Sequence, residues 1–269
     1  MFISILFFRL TFVRYKSDHF QNKFIKHETY FEELKSLNKL NKVVYSALFG
    51  KYDRVNSIKK ENGYDYFMFT DQAFINTSRI NWTILYAKKK IKYNINPNIS
   101  IIKKQRFYKT HPHIFFKKYD LSIYIDSSYK IKGKLDEFLL RVLTPKINIY
   151  ILEHPKRNSI NKEFSAVRKK FKETEKNIIS VKNKYNREKF PDNNGLAECC
   201  LIIRRHNELN SINFMNLWFN EIKKKSHRDQ LSFNYILWKT GNRDVKYISK
   251  GLFLKYFQKE SHLIEYVFK

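Results

Sequence analysis

The sequence contains few of the residues that mark disordered, repetitive or disulfide-stabilised chains. Its 269 residues include six glycines, five prolines and two cysteines. So little Gly and Pro excludes a collagen-like or low-complexity chain, and the lack of any period of about 20 to 50 residues excludes a solenoid. The cysteines, Cys199 and Cys200, are adjacent in an apolar run. Because adjacent cysteines rarely satisfy disulfide geometry, we expect two free strand residues in a reducing compartment.

A long apolar run is also missing. The stretch FISILFFRLTFV covers residues 2–13 and contains Arg9, so it falls short of the about 20 residues that a membrane-spanning helix needs. It also lacks the small-residue cleavage site of a signal peptide. Two interpretations stay open: the stretch rests on a membrane surface beside Arg14 and Lys16, or it is a dispensable leader.

Several catalytic motifs are absent as well. The chain has no Gly-rich phosphate loop of the P-loop or Rossmann type and no Ser-centred nucleophile elbow. The common kinases, dehydrogenases and hydrolases depend on these motifs. The sequence therefore argues against all three classes.

Positive charge, by contrast, is in large excess. The chain carries 53 Lys and Arg against 25 Asp and Glu, a formal net charge of +28. This excess favours an anionic partner: nucleic acid, acidic lipid or a phosphorylated substrate. Nucleic acid is the least favoured of the three, because the lysines are scattered along the chain and no known RNA or DNA module is present.

The apolar pattern predicts an α/β protein with a mostly parallel sheet flanked by helices, in a single domain. Strands are predicted at 43–50, 64–71, 82–87, 121–126, 148–154 and 196–206, and helices at 105–116, 212–225 and 229–241. We expect the domain to span residues 42–250. An apolar segment and helical lead-in precede it at 1–41, and a basic amphipathic tail follows at 251–269.

Four predicted strands end at or next to a polar residue that is able to bind a ligand, namely Asp71, Asp126, His154 and His206. In open α/β sheets ligands bind at the carboxyl ends of the strands, so these residues are candidates for one site. Asp126 has an alternative interpretation. Followed by Ser127, it also fits a turn, since Asp and Ser hydrogen-bond their own backbone there.

A basic motif lies between the third and fourth predicted strands. RFYKTHPH places Arg106 and Lys109 three residues apart. On a helix both cations lie on one face, where they are able to hold a diphosphate. The alternative is a solvated basic face, which is common in lysine-rich chains.

The segment EHPKRNSINKE combines His154, Arg157 and Glu163, which offer a proton carrier, a cation and a carboxylate within one loop and helix start. Further along, SHRDQLSF places Ser226 before a predicted helix and Asp229 three residues later. This spacing predicts a helix cap. The cap does not explain why Arg228 stands beside Asp229.

The chain resembles the TOD/MUCI glycosyltransferase-like domain family over roughly residues 43–248. The likeness rests on seven segments in the same order: YSALFGKYD, FMFTD, RFYKTHPH, YDLSIYIDSSYKIKG, EHPKRNSINKE, LAECCLIIRRHN and LWFNEIKKKSHRDQLSFNYILWKTG. The resemblance implies a GT-A-like, Rossmann-like fold that binds a nucleotide sugar at its strand ends, distantly related to glycogenin and bacterial galactosyltransferases.

The resemblance also implies roles for individual residues. Catalytic roles fall to Asp126, Asp229 and Gln230. Donor binding falls to Ala47, Phe49, Gly50, Tyr52, Asp71, Arg106, Lys109, Ser127 and Ser128. The sugar or acceptor pocket falls to His154, Arg157, Glu163 and Arg228.

Asp126 is in addition the candidate ligand for Mn²⁺ or Mg²⁺. Here the sequence departs from the usual Asp-x-Asp pair, because Ser128 replaces the second aspartate and no C-terminal His ligand is visible. The alternative is that Lys and Arg side chains offset the charge of the departing diphosphate.

The expected function is transfer of a sugar from a nucleotide-sugar donor to a glycan or lipid-linked acceptor, in the synthesis of surface polysaccharide or lipopolysaccharide. The expected location is the cytoplasm, with peripheral contact to the inner face of an anionic membrane. Two alternatives stay open: a basic nucleic-acid-binding protein, and a catalytically inactive relative that acts as a membrane-surface partner. Because glycogenin-like enzymes retain the anomeric configuration, the resemblance favours retention.

Overall fold

A seven-stranded sheet organises the second of two units into which the chain divides, Asn41–Lys269. The computed structural model describes residues 32–50, 55–72, 80–87 and 99–260. The strands of the sheet are β1 (Lys42–Leu48), β2 (Tyr64–Thr70), β3 (Thr83–Tyr86), β4 (Leu121–Ile125), β6 (Ile149–Glu153), β7 (Ala197–Arg204) and β8 (Val245–Ile248). Their spatial order is β3-β2-β1-β4-β7-β6-β8, and a separate ladder pairs β5 (Tyr129–Ile131) with β9 (Phe257–Lys259).

Six of the seven strands run in one direction. β1 is parallel to β2 and β4, β2 is parallel to β3, and β6 is parallel to β8. β7 is antiparallel to both of its neighbours, β4 and β6. The expected mostly parallel sheet is confirmed. Because β7 is reversed, its first residues lie at the edge of the sheet where the other strands end.

Helices connect and cover the strands. A helix at 32–38 (α1) belongs to a unit that ends at Leu40. The second unit contains α2 (Ile101–Thr110), α3 (Pro112–Phe115), α4 (Leu135–Val142), α5 (Ile160–Lys169), α6 (Glu175–Arg187), α7 (Leu209–Lys224), α8 (Phe233–Thr240), α9 (Lys250–Tyr256) and a 3-10 helix at Asp229–Leu231. Four helices begin after a hydroxyl residue that accepts a backbone N–H bond, namely Ser100, Ser159, Thr174 and Ser249.

Both faces of the sheet are covered, which explains the continuous apolar runs. Every residue of β1 is buried. Val43 and Tyr45 belong to the main core cluster. The buried side chain of Lys42 instead reaches Asp136 of α4, with Nζ 3.6 Å from Oδ1. A strand that is packed on both faces has no side exposed to solvent, so its sequence does not alternate between apolar and polar residues.

The predicted cap at Ser226 is wrong. Helix α8 begins at Phe233, and its N-terminal cap residue is Ser232. Ser226 Oγ instead donates a 2.5 Å hydrogen bond to Glu173 Oε2 and accepts one from the backbone N–H of Arg228. Ser226 therefore connects two loops, and Asp229 opens a short 3-10 turn rather than a long helix.

Some predictions fall outside the described residues: the N-terminal stretch at 2–13, Tyr52 and the last part of the tail at 261–269. The described part of the tail forms α9 and β9, whose Phe253 and Phe257 are buried. None of the helices within the described ranges is long and apolar enough to cross a membrane.

Candidate functional site

A cleft of about 670 Å³ opens at the edge of the sheet where the parallel strands end. The loop after β1, helix α2, the turn after β4, the start of β7 and the 3-10 helix all contribute to its lining. The predicted site residues in that lining are Ala47, Phe49, Gly50, Arg106, Lys109, Asp126, Ser127, Ser128, Arg228, Asp229 and Gln230. This position agrees with the general rule for open α/β sheets.

Lys109 is the most deeply buried cation of the cleft. Its Nζ lies 2.7 Å from Asp229 Oδ2, 3.5 Å from Asp126 Oδ1 and 4.8 Å from the centre of the Tyr124 ring. Its own carbonyl oxygen accepts hydrogen bonds from Tyr45 Oη and Arg204 Nη1, at 2.7 and 2.9 Å. The end of α2 is therefore fastened to the core, and the ammonium group has a defined position.

Arg106 lies one helical turn before Lys109 and contacts the same carboxylate. Its Nε is 3.4 Å from Asp229 Oδ2 and donates to the carbonyl oxygen of His227 at 3.3 Å. Burial by itself raises the pKa of Asp229, but Arg106, Lys109 and Arg228 together hold it well below its usual range. Asp229 is therefore an anion that orients two cations towards the cleft.

Asp126 forms a turn and also lines the cleft, so the two interpretations of its position in the sequence are compatible. Its carbonyl oxygen accepts the N–H of Tyr129 at 3.0 Å, which closes a turn. Its carboxylate lines the cleft, where Oδ1 accepts a 2.7 Å hydrogen bond from Tyr124 Oη. The backbone makes a turn and the side chain faces the site.

Arg228 stands beside Gln230 and donates from Nη2 to Gln230 Oε1 at 3.1 Å. Its Nε is buried and has no hydrogen-bond partner among the residues that the structure describes. Unpaired buried donors are rare in folded proteins, and this one is available to an anionic ligand.

Asp71 lies behind the loop that follows β1. Its Oδ1 accepts the backbone N–H of Gly50 at 2.7 Å, and the neighbouring Gln72 donates from Nε2 to the carbonyl oxygen of Gly50 at 2.8 Å. Gly50 has a φ of 74°, a conformation that favours glycine. Asp71 therefore supports the shape of the predicted nucleotide-binding loop and is not among the residues that line the cleft.

His154, Arg157 and Glu163 form a separate cluster outside the cleft lining. Arg157 Nε contacts Glu163 Oε2 at 2.6 Å, and Arg157 Nη2 lies 2.9 Å from His154 Nε2. Burial, reinforced by Arg157, lowers the pKa of His154 to about 4. The three groups satisfy one another, and their predicted role in a sugar or acceptor pocket stays a prediction.

The direction of β7 changes which polar residue of that strand reaches the site. His206, after the end of β7, is buried and lies near Phe116, whose carbonyl oxygen is 2.9 Å from His206 Nε2. It lies at the opposite edge from the cleft, so its proposed place in a shared site is wrong. Glu198, near the start of β7, lines the cleft instead. Glu198 was not predicted from the sequence, because the candidates were residues at the ends of strands and Glu198 lies near the start of one.

Apolar residues at the cleft were also missed. Phe171, directly after α5, is 94% exposed and has a φ of 50°, while Ile101 and Ile102 at the start of α2 are about half exposed. All three line the cleft. An exposed phenylalanine in a left-handed conformation is unusual, and such outliers concentrate at functional sites.

The donor set at Asp126 is a poor match to a divalent cation. Mn²⁺ and Mg²⁺ prefer several oxygen ligands, and Asp126 already accepts from Tyr124 and faces the Lys109 ammonium. Over the described ranges no group of three or more His, Cys, Asp or Glu side chains is placed to hold a metal ion. Cys199 and Cys200 line the cleft as free thiols, and burial raises the pKa of both well above the usual value.

Two sequence comparisons bear on this site. A family model described as "TOD1/MUCI70, glycosyltransferase-like domain" matches residues 10–260. A curated relative, named alkaline ceramidase TOD1 from Arabidopsis thaliana, is 24% identical over 233 residues, which cover 74% of this chain and 49% of the relative. The chain thus spans about half the length of the curated relative that it matches.

Three solved structures of proteins named as glycosyltransferases are similar to this chain. The bifunctional glycosyltransferase WbbM has a TM-score of 0.48 and 13% identity, and the match covers 78% of this chain and 39% of WbbM. Mouse xyloside xylosyltransferase 1 has a TM-score of 0.44 and 10% identity, with 76% of this chain and 84% of that protein covered. GlyE of Streptococcus pneumoniae has a TM-score of 0.43 and 10% identity, with 78% of this chain and 45% of GlyE covered.

Proposed function

The chain belongs to the TOD1/MUCI70 glycosyltransferase-like domain family, and from this premise we propose that it transfers a sugar from a nucleoside-diphosphate donor bound in the cleft. The acceptor is a hydroxyl group of a glycan or a lipid-linked molecule. Synthesis of a surface polysaccharide and peripheral contact with anionic membrane stay predictions from the sequence.

The charge of the cleft supports a diphosphate ligand. Arg106, Lys109 and Arg228 line it together with Lys172 and Lys259. Asp229 holds the first two in place, and cations held in this way lose little freedom when an anion binds. When the bond between sugar and diphosphate breaks, the negative charge that develops on the leaving group is what such cations stabilise.

The single observation that carries the proposal is the unpaired donor of Arg228. A phosphate oxygen beside its Nε would supply the hydrogen bond that no described residue supplies. The loop from Ala47 to Gly50 also lines the cleft, and Phe49 is held there by packing on Tyr108, with ring centroids 5.2 Å apart. This loop is the part of the cleft that we assign to the nucleoside.

Amide hydrolysis is a second candidate, because the curated relative is named a ceramidase. The apolar side chains of Phe171, Ile101 and Ile102 suit a lipid substrate. However, burial raises the pKa of the cleft thiols Cys199 and Cys200 well above the usual value, which makes them poor nucleophiles, and the cations that line the cleft suit a diphosphate better than an uncharged amide. Glycosyl transfer is therefore favoured.

The test is a thermal-shift measurement with UDP, GDP, CMP and their sugars. A ligand at about 100 times its Kd raises the melting temperature of a domain of this size by roughly 5 °C or more. We expect a shift with one nucleotide in the wild type. In Arg228→Gln the lost charge-assisted hydrogen bond is expected to weaken binding by roughly 10-fold or more.

The matched control is Arg243→Gln, since Arg243 is exposed and does not line this cleft. It is expected to bind the nucleotide like the wild type. A protein that is shifted by no nucleotide but releases fatty acid from ceramide would contradict glycosyl transfer and support the second candidate.

A further inference from the structure

Glu198 reaches the cleft because of an irregularity in the sheet. It lies near the start of β7, the reversed strand, next to the turn at Asp126, whose N–H donates to the carbonyl oxygen of Cys200 at 2.9 Å. In the pairing of β6 with β7, Ile151 faces Ile202 but the next residue, Leu152, faces Glu198. Three residues of β7 are therefore bulged out between them. Bulges of this kind redirect side chains beside active sites.

Among the described residues of the cleft, the Glu198 carboxylate has no hydrogen-bond or ion-pair partner, whereas Asp126 and Asp229 both have such partners. Asp229 pairs with Lys109 and Arg106, and Asp126 accepts from Tyr124 and faces Lys109. Glu198 is half-buried, and within the described ranges its carboxylate accepts no hydrogen bond and has no cationic nitrogen within 4.0 Å. In a chain with a net charge of +28, a cleft carboxylate without such a partner is available to a ligand.

We infer that Glu198 is the general base that accepts the proton of the acceptor hydroxyl group, an inference that rests on the proposed function. As the proton moves to the carboxylate, the hydroxyl oxygen forms a bond to the anomeric carbon of the donor. The bond from that carbon to the diphosphate oxygen breaks, and the diphosphate leaves with the electron pair. Lys109, Arg106 and Arg228 hold its charge.

This single displacement has a stereochemical consequence. The acceptor attacks from the side opposite to the leaving group, so the anomeric configuration inverts. Retention, which the resemblance to glycogenin-like enzymes favours, requires a different arrangement. The role inferred for Glu198 therefore predicts inversion, whereas the family resemblance favours retention.

The surroundings of Glu198 suit a base. Burial, with a contribution from Asp126, raises its pKa above the usual value, and Lys250, Lys259 and Arg157 oppose this rise. A carboxylate with a raised pKa binds a proton more readily, which a general base requires. The titratable or charged groups that face it are Asp126 after β4, Tyr129 on β5, Arg157 after β6, Cys200 on β7, Lys250 on α9 and Lys259 on β9.

The test uses Glu198→Gln, which keeps the shape of the side chain and removes the base. Donor hydrolysis, with water as the acceptor, is followed by release of the nucleoside diphosphate from whichever nucleotide sugar shifts the melting temperature. We expect kcat to fall about 100-fold or more and the decline of activity at acid pH to disappear, while the thermal shift with the nucleotide is unchanged. Proton NMR of the first product formed by the wild type is expected to show the inverted anomer.

Two variants accompany it. Glu153→Gln, an exposed carboxylate on the neighbouring strand that does not line the cleft, is expected to hydrolyse the donor at the wild-type rate. Glu198→Asp retains a carboxylate set farther back, so we expect a lower rate with the acid decline preserved. This second variant keeps the test decisive if Glu198→Gln does not fold.

The outcomes separate the two proposals. If no nucleotide binds the wild type, the proposed function fails. If a nucleotide binds and Glu198→Gln or Glu198→Asp turns over at the wild-type rate, or if the product retains its configuration, the role of Glu198 is overturned and the proposed function stands.

Discussion

Lys109 and Asp229 form a buried ion pair in the lining of the cleft, with Nζ 2.7 Å from Oδ2 and side chains only 1% and 5% exposed. The pair joins helix α2 to the 3-10 helix that opens before α8. Each charge depends on the other, because neither has enough water around it to be stable alone. Stability and the electrostatics of the site are therefore linked at this contact.

Removal of one partner should be costly. In Asp229→Asn the Lys109 ammonium loses its closest carboxylate, and we expect the free energy of unfolding to fall by about 3–5 kcal/mol, measured by urea denaturation. The double variant Asp229→Asn, Lys109→Met removes both charges and should recover part of that loss. A loss below about 1 kcal/mol in the single variant would show that the pair contributes little.

The same pair should govern acid stability. Despite burial, Arg106, Lys109 and Arg228 lower the pKa of Asp229 in the folded state below its ordinary value of 3.8. Its contribution is fully present above that value and is lost as the pH falls towards the lower folded pKa. We expect the urea midpoint of the wild type to drop below about pH 4 more steeply than that of Asp229→Asn. Parallel curves for the two proteins would contradict this assignment.

Donor binding should not depend on a metal ion. Lys109 lies 3.5 Å from Asp126, where a divalent cation would meet a positive charge. We therefore propose that EDTA leaves the nucleotide-induced thermal shift unchanged and that Asp126→Asn still binds the nucleotide. A shift that requires Mn²⁺ and disappears in Asp126→Asn would instead support Asp126 as a metal ligand.

Replacement of Phe171 by glycine should stabilise the fold. Its φ of 50° suits glycine, and its side chain is 94% exposed. We expect Phe171→Gly to raise the free energy of unfolding by about 1 kcal/mol, since glycine adopts this conformation without strain. Phe171→Ala keeps the strained backbone and should change stability by less than about 0.5 kcal/mol. Equal stability of the Gly and Ala variants would show that the backbone is not strained.

Much of the fold could be predicted from local patterns. The six predicted strands all occur, because a strand buried on both faces needs a continuous apolar run wherever it lies. The short strands β5, β8 and β9 were missed, since each has only three or four residues and a lysine interrupts or ends its apolar run. The four residues of β3, TILY, carry no charge, and that strand was predicted. Ser226 was misread because its partner, Glu173, lies 53 residues away and no local signal marks the contact.

The sequence by itself determined the α/β class and the three-residue spacing by which Arg106 and Lys109 reach the same Asp229 oxygen, because apolar runs and helical periodicity are local properties. Only the tertiary structure decided that Asp229 is that shared partner and that β7 runs backwards. The apolar pattern of a buried strand is the same in either direction, so it does not indicate the strand's orientation. The orientation is set by how the strand pairs with its neighbours in the sheet. That choice placed Glu198 in the cleft and His206 at the opposite edge.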